Sequence, residues 1–270
     1  MSCSESLSET KTLELVDTHC HLTFAQLEPH IEAVLARSRE AGVTGWITVA
    51  TDRPQIEKVI ALLPKYDNMY AALGIHPHYA KDASPEDLSF LKKAAQADKV
   101  VAIGETGLYF HYTFSEAEIQ KKIFKAQLAI AAELVLPVVV HSRNAFDETM
   151  KILDEFDGKL KNVVIHCYSG SANQAKLILQ KGYYISFTGI VTFTKKVNET
   201  IDAVKLVPLD KMMVETDCPY ISPEPVRNKR PCEPAFMAHT AKKLAEIKGM
   251  GFEDFAREVT VTSKRFFNLA

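Results

Sequence analysis

The stretch LELVDTHCH, residues 13–21, decides how the rest of the chain reads. It begins as an apolar, β-branched run and ends in Asp17, His19 and His21. That is the pattern of a buried strand that carries polar groups only at its C-terminal end. On a strand, side chains two apart share a face and lie roughly 6–7 Å apart, so His19 and His21 point the same way. Cys20 between them, like Cys167 and Cys218 beside other histidine or carboxylate positions, is expected to pack outward against helices.

Seven more runs of this kind follow: GWITVAT (45–51), MYAALGI (69–75), VVAIGE (100–105), PVVVHS (137–142), NVVIHC (162–167), YYISFT (183–188) and KMMVETD (211–217). Helical stretches lie between them, with clear start and stop signals. Ser84-Pro85-Glu86-Asp87 reads as an N-cap, a proline in the first turn and two acids. Ser115 with Glu118 has capping-box spacing before a helix over 115–134, and Ser171 can cap a helix that ends at Gly182. Gly42 follows the first helix, and 234–248 and 252–267 read as two terminal helices. An open doubly wound sheet also alternates strand and helix, but eight units is the number that closes a barrel. The fold class is α/β, a single (β/α)8 barrel of the TIM type with C-terminal helices. Residues 13–270 form that barrel, and 1–12 are a flexible polar extension.

The chain has 270 residues, 47% of them hydrophobic and 24% charged, with 32 Lys and Arg against 34 Asp and Glu. A net charge of −2 argues against wrapping duplex DNA in bulk positive charge, but leaves room for a local basic rim. No apolar run reaches the roughly 18–20 residues of a membrane span, and the N-terminus has no secretory core. Five widely spaced cysteines do not make a disulfide framework, and reduced thiols in the cytoplasm are expected. No GxGxxG follows the first strand, so a dinucleotide site lacks support.

In a barrel the C-terminal strand ends meet at one mouth. There the sequence gathers His19 and His21, Glu105, His141, His166 and Asp217 from five strands. Six groups are too many for one tetrahedral zinc that keeps a water, and suit two cations about 3.5–4 Å apart sharing a carboxylate. His19, His21 and Asp217 are assigned to one cation, His141 and His166 to the other, with Glu105 as the bridge. Zinc, manganese or magnesium could fill the sites, and the imidazoles favour the softer ions. Asp217 is also the candidate general base. His76 and Arg143 are candidates to contact phosphate, as is the basic cluster Arg227, Lys229 and Arg230 on a late loop. Tyr168, Tyr220 and Phe110 are candidates to stack bases.

These residues also carry a resemblance. VDTHCHL (16–22), GIHPH (74–78), GETGL (104–108), PVVVHSRNAF (137–146), HCYSG (166–170), ISFTGI (185–190) and ETDCPY (215–220) are similar to the motifs of the TatD-type metal-dependent deoxyribonucleases, within the amidohydrolase-like barrels. The resemblance implies divalent metals and hydrolysis of DNA phosphodiesters, often from the 3′ end. It implies DNA as partner, single-stranded or at 3′ ends, with no membrane and no required protein partner. Its ligand pattern falls on His19, His21, Glu105, His141, His166 and Asp217. Two departures stand out. Tyr109 occupies a position where the family usually has Asp, and residues 227–234 replace the usual Arg-Gly-Lys-Arg-Asn-Glu-Pro. The competing readings are an amidase, lactonase or aminoacyl-ester deacylase on the same scaffold, or a metal-binding barrel without turnover. Glu105, where many such relatives place a carboxylated lysine, favours the phosphodiesterase side.

Overall fold

The computed structural model describes residues 14–193 and 198–269. The extension assigned to 1–12 lies outside the described residues. The eight strands are β1 (Leu15–Cys20), β2 (Val43–Ala50), β3 (Met69–Leu73), β4 (Val100–Tyr109), β5 (Val138–Arg143), β6 (Val163–Ile165), β7 (Tyr184–Phe187) and β8 (Met212–Val214). They run parallel in one sheet, in sequence order. Between them lie α1 (Ile31–Glu40), α2 (Arg53–Leu62), α3 (Pro85–Ala94), α4 (Ala117–Leu134), α5 (Phe146–Asp154), α6 (Ala172–Gln180) and α7 (Asn198–Leu206), followed by α8 (Met237–Lys248) and α9 (Phe252–Phe267). No helix among the described residues is long and apolar enough to cross a membrane.

The barrel closes between β1 and the segment just past β8. The Asp217 N–H donates to the His19 carbonyl at 2.9 Å, and the His21 N–H donates to the Cys218 carbonyl at 2.8 Å. Asp17 reinforces the seam by accepting from the Thr216 N–H at 2.9 Å and the Thr216 hydroxyl at 2.6 Å. Burial outweighs these bonds and pushes the Asp17 carboxyl up to about 7.

Strand alternation sets two apolar layers. Val139, Val164 and Met213 face the barrel interior, while Val138, Val140, Val163, Ile165, Met212 and Val214 face the helices. Phe266 of α9 closes the N-terminal end, packing on Tyr184 at a ring distance of 4.9 Å. The polar mouth is left at the other end.

Two helix starts follow the sequence reading, and one does not. Ser84 with Asp87 and Ser171 with Gln174 form complete capping boxes on α3 and α6. The Ser115–Glu118 box does not form. The Ser115 hydroxyl donates instead to the His78 carbonyl at 2.9 Å and accepts from the Lys81 N–H at 3.0 Å. It ties the turn after β3 to the start of α4, and α4 begins without a side-chain cap.

Candidate metal centre

Glu105 sits in the middle of the mouth because the backbone around it has room for no side chain. Gly104 has φ +146°, and a Cβ there would lie 2.6 Å from the Val139 carbonyl oxygen. Gly107 has φ +135°, and its Cβ would run into the His141 carbonyl. Only glycine fits both positions. The two let β4 press against β5, so that Glu105 and His141 meet.

The two carboxylate oxygens of Glu105 face different groups. Oε2 lies 3.5 Å from His19 Nε2 and 3.9 Å from His21 Nε2. Asp217 Oδ1 completes that group, 3.7 Å and 3.4 Å from the same two nitrogens, which are themselves 3.3 Å apart. Donor atoms on a tetrahedron around a zinc-like ion, with bonds of about 2.0–2.1 Å, are separated by about 3.3–3.4 Å. The set therefore fits a cation. Oε1 lies 2.7 Å from both His141 Nδ1 and His166 Nε2, which are 2.9 Å from each other. These are hydrogen-bond separations, and the three atoms, one carboxylate oxygen and two imidazole nitrogens, are of the type that ligates a divalent cation.

The carboxylates and imidazoles of the centre shift one another's pKa. Burial works to raise the Glu105 carboxyl, but His166, His76 and His141 outweigh it and hold it well below the usual carboxylate range. Burial likewise works against charge on His166, yet Glu105 and Glu215 lift it well above an ordinary imidazole. Asp217 is held low, against its burial, by His21 and His19. Further buried atoms of these imidazoles, His19 Nδ1, His141 Nε2 and His166 Nδ1, make no hydrogen bond of good geometry.

Asp217 reaches this centre through a backbone bend. Its φ is +54°, unusual for a residue with a side chain. Cys167, beside His166, has φ +47°. Strained backbone of this kind needs surrounding contacts to hold it. For Asp217 these are the bonds across the β1–β8 seam. For Cys167 it is Glu215, whose carboxylate accepts the Cys167 N–H at 2.6 Å. The same Glu215 oxygen lies 3.3 Å from His166 Nδ1, so the other ring nitrogen is the one turned toward Glu105. Sequence reading missed Glu215. The signal was present: it lies two residues before Asp217, the same spacing that linked His19 to His21.

A cavity of about 310 Å³ opens over the centre, lined by His21, His76, Glu105, His141, Asp217 and Tyr220 among others. His76 braces its loop and also faces the cavity. Its Nδ1 accepts the His78 N–H at 3.1 Å, and its Nε2 lies 3.5 Å from Glu105 Oε1. Burial and neighbouring imidazoles keep its pKa well below the usual value, against the pull of Glu105. With Nδ1 accepting, a neutral His76 carries its proton on Nε2, a donor at the cavity wall.

The other candidates lie farther out. Arg143 lines a separate groove of about 550 Å³ beyond His166, with Phe110, Ser169 and Gln174. Cys167 lines that groove too and contacts Thr188, in contrast to the outward packing expected of it; Cys20 and Cys218 do join the core between strands and helices. Arg227 stacks over Phe193 at 3.4 Å, and Arg230 donates to the Tyr220 carbonyl at 2.9 Å. Lys229 is exposed on the same loop. None of the three basic residues lines the cavity itself. Tyr168 is buried, its hydroxyl donating to the Ser171 carbonyl, and is not free to stack; Tyr220 is half exposed at the cavity edge.

The family model described as TatD related DNase matches residues 16–268. A metal-dependent hydrolase of Bacillus subtilis, YabD, is 39% identical over 255 residues, covering 94% of this chain and 99% of the relative. The 3′-5′ ssDNA/RNA exonuclease TatD of Erwinia tasmaniensis is 34% identical over 259 residues, covering 94% of this chain and all of the relative. Among solved structures, the TatD homologue YjjV of Escherichia coli K12 superposes with a TM-score of 0.89 at 32% identity, over 95% of this chain and 98% of the other. A Campylobacter jejuni dihydroorotase, at 16% identity and a TM-score of 0.59, shares the fold alone.

Proposed function

The chain belongs to the TatD-related DNases, a family of metal-dependent hydrolases, and from that premise we propose that it hydrolyses phosphodiester bonds at the 3′ ends of single-stranded DNA in the cytoplasm. Residues 13–270 act as one hydrolase unit, with 1–12 outside it. Two divalent cations would be held, one by His19, His21 and Asp217 and one by His141 and His166, with Glu105 able to serve both. Zinc and manganese suit the imidazoles best, and magnesium is the third choice. The observation that carries this reading is the division of Glu105, with Oε2 toward one imidazole pair and Oε1 toward the other.

Bound there, the cations supply a lowered pKa for water and neutralise charge on the phosphoryl oxygens. The chain's own residues do the rest. Asp217 is acceptor-only in its ionised form and takes the proton of the attacking water. As the water oxygen bonds to phosphorus, the bond from phosphorus to the 3′ oxygen breaks, and the proton passes to that oxygen. His76 donates its Nε2 proton to a phosphoryl oxygen. Arg143 forks onto the phosphate of a neighbouring nucleotide, and Arg227, Lys229 and Arg230 attract the backbone along the rim.

The test is turnover of a 5′-labelled single-stranded oligonucleotide with a free 3′ hydroxyl, against a panel of lactones, amides and aminoacyl esters. Shortening from the 3′ end that requires added metal is the expected result. Turnover on the ester or amide panel with an intact oligonucleotide would overturn the reading.

A further inference from the structure

The aromatic rings that line the metal cavity continue beyond its rim. Tyr109, the last residue of β4, stacks beside His141 with ring centroids 5.6 Å apart and planes 28° apart. It also meets His78 edge-on at 4.3 Å. From there the series follows the loop between β4 and α4. Tyr112 lies 6.2 Å from Tyr109, with planes 32° apart. Phe114 lies 5.7 Å from Tyr112 and 4.5 Å from His78. Despite these contacts Tyr112 is 57% exposed and Phe114 50% exposed. Single exposed aromatics are common on protein surfaces. A contiguous set that starts at the reacting centre marks a binding surface.

We propose that Tyr112 and Phe114, continuing from Tyr109, form a stacking platform for unpaired nucleobases next to the scissile phosphate, and that this platform selects single-stranded nucleic acid. The proposal rests on the phosphodiesterase reading of the metal centre. Three observations favour bases over other occupants. The loop FHYTFSE (110–116) contains no Lys or Arg, so it brings no permanent positive charge to a phosphate backbone. The basic residues Arg227, Lys229 and Arg230 lie on a different loop, after β8, so grip on the backbone and grip on the bases are divided. The platform begins two ring contacts from His141, which places it beside the nucleotides adjoining the reacting one. Inside a duplex, neighbouring bases cover both faces of each base and the terminal pair leaves only its outer face; an unpaired strand can offer the face of every base to a tyrosine or phenylalanine ring. Stacking does not read the sugar, so unpaired DNA and RNA are held alike.

The test uses the metal-loaded protein and the double variant Tyr112→Ala/Phe114→Ala, with Tyr112→Phe as the conservative control. The substrates are an oligothymidine strand and the same strand with 5,6-dihydrothymidine at the three 3′-terminal positions; that base keeps its size but is no longer flat and aromatic. Wild type is expected to prefer the aromatic strand. The double variant should lose on the order of tenfold or more in kcat/KM on that strand, mainly through KM, and its preference over the saturated strand should collapse toward one. Tyr112→Phe should keep the preference. An undiminished preference in the double variant, or equal losses on both strands, would overturn the platform. Absence of cleavage of either strand by wild type would end the phosphodiesterase reading instead. The platform would then be read by the fluorescence of 2-aminopurine at the 3′ end, quenched by wild type and not by the double variant; equal quenching would refute it.

Discussion

Replacing Glu215 with glutamine isolates the support that one buried carboxylate gives to one imidazole. Glu215 Oε1 accepts the Cys167 N–H at 2.6 Å and lies 3.3 Å from His166 Nδ1. Glutamine has nearly the same shape, and its carbonyl oxygen can still accept from Cys167, so the bend at residue 167 survives. What disappears is the negative charge that keeps a proton on Nδ1 and makes Nε2 a better ligand. Losing such an outer partner typically weakens metal binding 10–100-fold, which is about 1.4–2.7 kcal/mol. The loss should be largest at the His166 site, which Glu215 approaches most closely, and smaller at the site of His19, whose ring nitrogen lies within 4.8 Å of the same carboxylate. The assay is titration of chelator-stripped protein with Zn2+ or Mn2+ in competition with a chromophoric chelator. The expected result is a two-step isotherm in which one step weakens by that factor and the other shifts less. Two steps within twofold of wild type would refute the role given to Glu215.

Gly107→Ala should destabilise the protein by several kcal/mol, because its Cβ meets the His141 carbonyl and its φ of +135° suits only glycine; urea midpoints measure this, and a value near wild type would contradict it. Ser84→Ala removes the cap of α3 and should cost about 1 kcal/mol in urea unfolding at neutral pH. The N–H and hydroxyl of Ser84 hold the Asp87 carboxyl below its usual value of 3.8. This contribution is therefore present above about pH 4 and lost as pH falls further, so the gap between Ser84→Ala and wild type should narrow in acid.

Much of this arrangement was legible in the chain before the fold. Eight apolar runs separated by capped helices implied a parallel barrel, and the polar residues at the ends of those runs named the six groups that converge. Less legible was whatever depends on backbone leaving its regular path. β6 and β8 end at Ile165 and Val214, earlier than the apolar pattern suggests. The chain turns to positive φ at Cys167 and Asp217, which brings His166 and Asp217 to the same centre. The Ser115 hydroxyl was read as a helix cap because its spacing to Glu118 is local, whereas its partners, His78 and Lys81, come from a turn more than thirty residues away. Tyr112 and Phe114 sit in a loop with no periodicity, so only the folded rings show that they continue from Tyr109.

Metal stoichiometry tests most directly whether Glu105 joins two cations. Mass-spectrometric metal analysis of the purified protein, wild type beside Glu105→Ala, should find two divalent cations per wild-type chain. In the variant it should find one or fewer, with hydrolysis of single-stranded DNA lost even at high Mn2+. A Glu105→Ala protein that still holds two cations and still cleaves with added Mn2+ or Mg2+ would contradict the account.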